Sequence, residues 1–188
     1  LSDEQCQQLR DFVDRGGSLI ATFETARYDE WGQRRDNLGL ADLFGVAVTG
    51  AIEGPMQNSY LRLEMNADGS RHPLVEGFGD TERIINGVKR LPVEATIDFP
   101  NPPLTLIPTY PDLPMEEVYP RADHTGIPEV YLREIGAGRV VYFPWDIDRT
   151  YWEVLCIDHG RLLVNAVEWA TNEPRPVAVH GPGVLDVT

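Results

Sequence analysis

The beginning of the chain alternates between the hydrophobic pattern of a helix and that of a strand. Apolar residues recur at helical spacing between positions 6 and 13, behind Ser2, a residue type that caps helices. Gly16 and Gly17 then stop the helix. The apolar run at 18–23 suits burial on both faces, as in the strands of parallel sheets. A helix, a glycine stop and a buried strand form half of a βαβ unit, so the pattern predicts an α/β fold.

The rest of the chain carries shorter elements around an irregular middle. A Gly-Ala-Gly turn at 136–138 between two apolar runs, 129–135 and 139–144, predicts a β hairpin. Nine prolines lie between positions 92 and 128, and they exclude long helices there because proline lacks the N–H that a helix needs. Further strands are predicted at 46–51, 60–65, 83–86, 87–93 and 104–109, and further helices at 38–44 and 158–171.

Length and composition fit one domain. The chain has 188 residues, of which 42% are apolar, and that is enough for one sizeable core. We expect the domain to span residues 1–175, and residues 176–188 to be a tail or the start of a following β domain. Because the chain opens on a helix cap with no strand before it, we also expect it to be a piece of a longer protein.

The charge balance excludes several classes of partner. Thirty acidic and sixteen basic side chains give a formal charge of −14, which repels phosphate backbones and anionic lipid heads, so neither nucleic acid nor membrane is an expected partner. The longest apolar runs are too short to span a bilayer and no signal segment opens the chain, so a cytoplasmic location is expected. The two cysteines and four histidines lack ligand spacing, so no metal or other cofactor is expected.

Polar and aromatic residues follow two of the predicted strands. The loop 24–37 follows the first buried strand, and the segment 145–152 follows the hairpin. In open α/β sheets, ligands gather at the carboxyl ends of the strands. Aromatic and arginine side chains dominate interfaces, and aromatic faces suit sugar rings, so both segments are candidates for subunit or sugar contact, with a solvated surface as the alternative. The candidate contact residues are Glu24, Arg27, Tyr28, Trp31, Trp145, Asp146, Asp148 and Tyr151.

Four segments carry a resemblance to a known family. They are VDRGGSLIAT at 13–22, LADLFGV at 40–46, GAGRVVYFP at 136–144 and NAVEWA at 165–170. Together they resemble the β-galactosidase trimerisation domain, which lies between the catalytic barrel and a small β domain of family 42 glycoside hydrolases. The resemblance implies the fold of class I glutamine amidotransferases: a three-layer, mostly parallel, flavodoxin-like sheet with helices on both faces, here with an irregular proline-rich insertion. It also implies self-association as a trimer, with loops that help to line a neighbouring subunit's sugar pocket.

Amidotransferase activity does not follow from that fold. Those enzymes place a cysteine nucleophile on the sharp turn after a strand, and a histidine and glutamate pair activates it. Here the strand at 18–23 continues into Glu-Thr-Ala at 24–26, and the residues after position 143 include tryptophan and aspartate but no nearby histidine. The resemblance therefore implies the shape without that activity, and we assign no catalytic residue.

Three functions remain open. The first, favoured by the resemblance, is a non-catalytic assembly domain of a glycoside hydrolase. The second is an independent hydrolase, in which Glu24 with Asp146 or Asp148 supplies the carboxylate pair of glycoside hydrolysis. The third is a free-standing carbohydrate-binding module, which requires exposed tryptophans to form a flat platform.

Overall fold

The computed structural model describes residues 1–110, 117, 119–171 and 173. The predicted tail at 176–188 lies outside these residues. The helices are α1 (Asp3–Asp14), α2 (Ala41–Phe44), α3 (Ile147–Val154) and α4 (Ile157–Thr171), with a 3-10 helix at Pro73–Val75. The strands are β1 (Leu19–Thr22), β2 (Val46–Val48), β3 (Tyr60–Leu63), β4 (Arg83–Ile85), β5 (Val93–Ala95), β6 (Leu104–Ile107), β7 (Tyr131–Ile135) and β8 (Gly138–Phe143).

Helix α1 begins and ends where the sequence predicts. The Ser2 hydroxyl accepts the Gln5 N–H at 3.1 Å, and the Ser2 N–H donates to the Gln5 side-chain oxygen at 2.8 Å, which completes a capping box. Cys6 and Val13 are buried on the predicted apolar face. The chain then turns at Gly16, whose φ of +94° is a conformation that favours glycine.

Strand β8 is the centre of the main sheet, whose order is β1–β8–β7. β1 runs parallel to β8, with Thr22 opposite Phe143. β7 runs antiparallel to β8, with Ile135 opposite Gly138. The predicted hairpin is therefore confirmed.

Helices cover both faces of this sheet. Side chains alternate along a strand, and in β8 Val141 and Phe143 face one core while Val140 and Tyr142 face another. α4 closes the first core, and α1 and α2 close the second. Phe44 of α2 stacks on Tyr142 with ring centroids 4.4 Å apart.

The remaining strands form two small antiparallel sheets. β2 pairs with β5, and β3 lies between β4 and β6. The prediction of a mixed α/β fold is confirmed, but the arrangement differs from the expected mostly parallel sheet, because β1 with β8 is the one parallel pair among the described strands. A parallel pair needs a long crossover, usually a helix, and the proline-rich middle does not supply one.

None of the helices formed by the described residues combines the length and the apolar character needed to cross a membrane.

Candidate functional site

The candidate site lies at one edge of the main sheet. Because Thr22 and Phe143 are opposite each other in a parallel pair, the loop after β1 and the segment after β8 leave the sheet at the same edge. The structure thus brings the two candidate segments, 24–37 and 145–152, to the carboxyl ends of neighbouring strands, where α/β proteins collect ligands.

A strained turn follows β1 directly. Phe23 has a φ of +46°, a left-handed conformation that costs a bulky residue about 1–3 kcal/mol. Two hydrogen bonds hold it: its N–H donates to the Phe143 carbonyl at 2.7 Å, and its carbonyl accepts the Tyr142 hydroxyl at 2.7 Å. The turn thus brings a phenyl ring, a side chain without nucleophilic character, to the carboxyl end of β1.

A small cleft opens beside this turn. Its lining comprises Glu24, Arg27, Tyr28, Arg34, Gly50, Ala51, Ile52 and Leu91. The Tyr28 hydroxyl donates to the Glu24 carboxylate at 3.3 Å. The cleft measures about 60 Å³, which suits a few water molecules rather than a sugar ring.

The loop 24–37 is ordered by its own hydrogen bonds. The Asp29 carboxylate accepts the backbone N–H groups of Trp31 at 2.9 Å and Gln33 at 2.7 Å. Arg27 is buried and donates to the Asp36 carbonyl at 2.8 Å, so it supports the loop from inside. This arrangement leaves the Trp31 side chain at the tip, with 80% of its surface exposed.

Trp145 and Asp146 are inside the molecule. The Trp145 indole is fully buried and donates to the Glu129 carbonyl at 2.9 Å. One Asp146 carboxylate oxygen accepts the backbone N–H groups of Val88 and Lys89, both at 2.9 Å. Residues 89–91 pair with the backbone of residues 144–146, and Arg27 is buried within its own loop, so these three candidate contact side chains are buried rather than exposed.

The end of α3 and the start of α4 expose a cluster of large apolar side chains. Trp152 and Ile157 are 81% and 80% exposed, and Val154 and Leu155 lie between them on the surface. Leu155 ends α3 at a φ of +50° and donates its N–H to the Tyr151 carbonyl at 2.7 Å. We call Trp152, Val154, Leu155 and Ile157 the α3–α4 patch. Of the predicted contact residues nearby, Asp148 is exposed and Tyr151 is half-buried.

A buried ionic cluster lies behind the edge, and sequence reasoning missed it. Arg90 donates to the Glu129 carboxylate at 2.6 Å and to the Glu53 carboxylate at 2.8 Å. Glu129 is fully buried, and its second carboxylate oxygen has no hydrogen-bond partner. Burial raises the pKa of Glu129 to about 7, although the adjacent Arg90 guanidinium acts in the opposite direction and lowers this pKa. The partners are thirty-nine residues apart, so no local motif signals them.

The described residues contain no group of three or more histidine, cysteine, aspartate or glutamate side chains that could hold a metal ion.

The chain is similar in fold to several solved structures. No protein-family model matches it, and a search of curated proteins finds no match. A cytoplasmic protein from Salmonella typhimurium aligns with 88% of this chain at 16% identity and a TM-score of 0.56. A β-galactosidase from Rahnella sp. R3 aligns with 90% of it at 15% identity and a TM-score of 0.57. A β-galactosidase from Bacillus circulans aligns with 87% of it at 15% identity and a TM-score of 0.56.

These likenesses concern parts of larger proteins. The chain covers 59% of the Salmonella protein, 21% of the Rahnella enzyme and 20% of the Bacillus enzyme. At such low identity the likeness shows the fold alone. The chain therefore adopts a mixed α/β fold that also forms about a fifth of two β-galactosidases.

Proposed function

We propose that this chain is a non-catalytic assembly domain of a glycoside hydrolase of the β-galactosidase type, and that it joins subunits into a trimer. The observation that carries the proposal is the match of nearly the whole chain to about a fifth of each of two β-galactosidases. On this proposal the main sheet and its two helical layers are a reduced form of the flavodoxin-like fold of class I glutamine amidotransferases. We propose that Phe23 stands in the nucleophile's turn of that fold, and among the described residues no cysteine lies in the turn after β1.

The α3–α4 patch supports an assembly role. Monomeric proteins rarely leave several adjacent large apolar side chains in water, and such patches mark interaction sites. A chain with a formal charge of −14 repels a second copy of itself over most of its surface, so self-association requires an apolar contact that excludes water. Trp152 supplies the large aromatic anchor that interface hot spots favour.

The loop 24–37 is the second contact surface of the proposal. Its hydrogen bonds leave Trp31 exposed at the tip, and Glu24 and Tyr28 of the same loop line the small cleft. The cleft there is too small to hold a sugar alone, so we propose that this loop forms one wall of a sugar pocket completed by a neighbouring subunit.

The alternative of an independent hydrolase loses support from the burial of Asp146. That carboxylate is only 2% exposed and accepts two backbone N–H groups, so it is not placed to act on a sugar together with Glu24. Asp148 is exposed, but it is not among the residues that line the cleft beside Glu24.

Interface variants test the proposal. We expect the double variant Trp152→Ser with Ile157→Ser to dissociate the assembly to a 21.1 kDa monomer, measured by light scattering, because it removes the apolar anchor. Trp31→Ala tests the loop in the same way. Ile85→Thr, which changes a comparably apolar surface residue on β4, is the matched control and keeps the wild-type mass. If all three variants share the wild-type mass, these surfaces do not hold the assembly.

A further inference from the structure

A second cleft lies beside the antiparallel sheet β4–β3–β6. It lies where the chain leaves β3, and the Glu64 N–H donates there to the Pro103 carbonyl at 3.0 Å. The cleft has a volume of about 240 Å³, large enough for a small organic molecule. Its lining comprises Glu64, Met65, Asn66, Pro100, Asn101, Pro102, Pro103, Thr105 and Gly126.

The polar groups of this cleft combine hydrogen-bond acceptors and donors. Thr105 donates its hydroxyl hydrogen to one Glu64 oxygen at 2.5 Å. The other Glu64 oxygen lies 3.8 Å from the Arg62 Nε, which is beyond hydrogen-bond distance, so it retains acceptor capacity. Asn101 is exposed on the rim and adds an amide that can both donate and accept.

The charge around the cleft is balanced. Arg62 lies near Glu64, and Asp123 lies 4.0 Å from Arg62 and 3.5 Å from Arg83. Among the described residues that line the cleft, Glu64 is the charged one, and the Arg62 guanidinium beside it offsets that charge. A neutral ligand with several hydroxyl groups fits this arrangement better than a cation or an anion.

The walls are rigid and non-aromatic. Proline side chains at 100, 102 and 103 fix the backbone φ angles of one wall, so little conformational entropy is lost when a ligand binds. Their ring carbons and the Met65 side chain offer apolar surface for the C–H groups of a sugar, and none of the described residues that line the cleft is aromatic.

We propose that the Glu64–Thr105 cleft binds a neutral polyhydroxylated ligand of monosaccharide size, through hydroxyl groups that donate to Glu64 and bond to the Asn101 amide. The proposal is independent of the assembly role, because every group that it uses belongs to one copy of the chain.

The test uses the complete 188-residue chain and ligand-observed saturation-transfer NMR. D-galactose, glycerol and tetramethylammonium are titrated separately. We expect saturable binding of galactose in the millimolar range, and none of tetramethylammonium. The Glu64→Ala substitution weakens the affinity for galactose about tenfold or more, because a hydrogen bond to a charged group is lost. The Asn101→Ala substitution, on the exposed rim, weakens galactose binding and leaves the fold intact. The Glu153→Ala substitution on α3 is the remote control, and it leaves galactose binding unchanged.

Three results would overturn the proposal. The first is the absence of saturable galactose binding in the wild-type chain. The second is equal binding in the Asn101→Ala, Glu64→Ala and Glu153→Ala variants, which would place the sugar elsewhere. The third is binding of tetramethylammonium instead of galactose, which would show that the cleft selects a cation. None of these results bears on the oligomeric mass, so failure here is distinguishable from failure of the assembly proposal.

Discussion

At the scale of single residues, Glu129 is the group whose protonation is most strongly altered by folding. It is fully buried beside Arg90, and burial raises its pKa to about 7. In the unfolded chain the same carboxyl titrates near its ordinary value, about 4.3. Between these two values the folded chain holds a proton that the unfolded chain has released. Stability contributed by this group is therefore complete below about pH 4.3 and is lost as the pH rises toward about 7.

Glu129→Gln isolates this effect. The amide resembles the protonated carboxyl but does not titrate. The stability that the wild type loses between about pH 4.5 and 7.5 is therefore retained in the variant. We expect its free energy of unfolding, relative to that of the wild type, to rise by about 2–4 kcal/mol across this interval. Urea unfolding of both proteins at several pH values measures the difference. Parallel stability curves would show that Glu129 is ionised or solvated in the folded chain at all these pH values.

The placement of individual polar residues was only partly predictable from the sequence. Within the two predicted contact segments Trp31 and Asp148 are exposed, but Trp145 and Asp146 are buried. The polar and aromatic pattern around Trp145 and Asp146 is as typical of a surface segment as of a buried one. The segment that covers these two residues comes from residues 87–91, which are remote in sequence. The Arg90–Glu129 pair was missed for the same reason, since periodicity reports only local neighbours.

At the scale of elements, the packing of α1 on β8 depends on Gly138. A Cβ at this position would lie 2.3 Å from the Gly17 carbonyl oxygen and 2.8 Å from the Val13 carbonyl oxygen. Both are backbone atoms that cannot turn aside as a side chain can. We expect Gly138→Ala to lower the free energy of unfolding by about 1–3 kcal/mol, as overpacking in a well-filled interior does. Denaturant unfolding measures this loss.

Gly50→Ala is the matched control for that experiment. A Cβ at Gly50 would meet the Pro92 side chain at 3.4 Å, an ordinary contact distance. Its effect on stability should stay within about 0.5 kcal/mol. Equal losses in the two variants would mean that the close approach of α1 to β8 does not limit packing at Gly138.

Most helices and strands lie near their predicted positions, including the short strands β2, β3, β4 and β6, whereas α3 and β5 do not. α1, β1, the β7–β8 hairpin and α4 lie close to their predicted positions, because each has a clear apolar periodicity or a glycine turn. α3 was not predicted, since its eight residues mix charges and aromatics without a long apolar stripe. The predicted strand at 87–93 is shifted to β5, because residues 89–91 pair with positions 53 and 144–146 through isolated contacts rather than a continuous ladder.

At the scale of the whole molecule, the net charge and the α3–α4 patch have opposite effects on self-association. The formal charge of −14 favours separate copies, whereas the α3–α4 patch favours association. Apolar burial at a contact is short-ranged, while repulsion between exposed charges is screened within about 10 Å at 0.1 M salt. We therefore expect the assembled fraction to increase when the salt concentration is raised from low to moderate values, as measured by sedimentation velocity. A fraction that falls with salt would indicate that ion pairs, not the apolar patch, hold the copies together.

The mass of the wild-type chain in solution tests the proposed assembly role most directly. Light scattering at tens of micromolar protein and moderate salt should give three times the chain mass of 21.1 kDa, since the proposal places the assembly surface on these residues. A mass of 21.1 kDa under the same conditions would contradict it and leave the likeness to the β-galactosidases as one of fold alone.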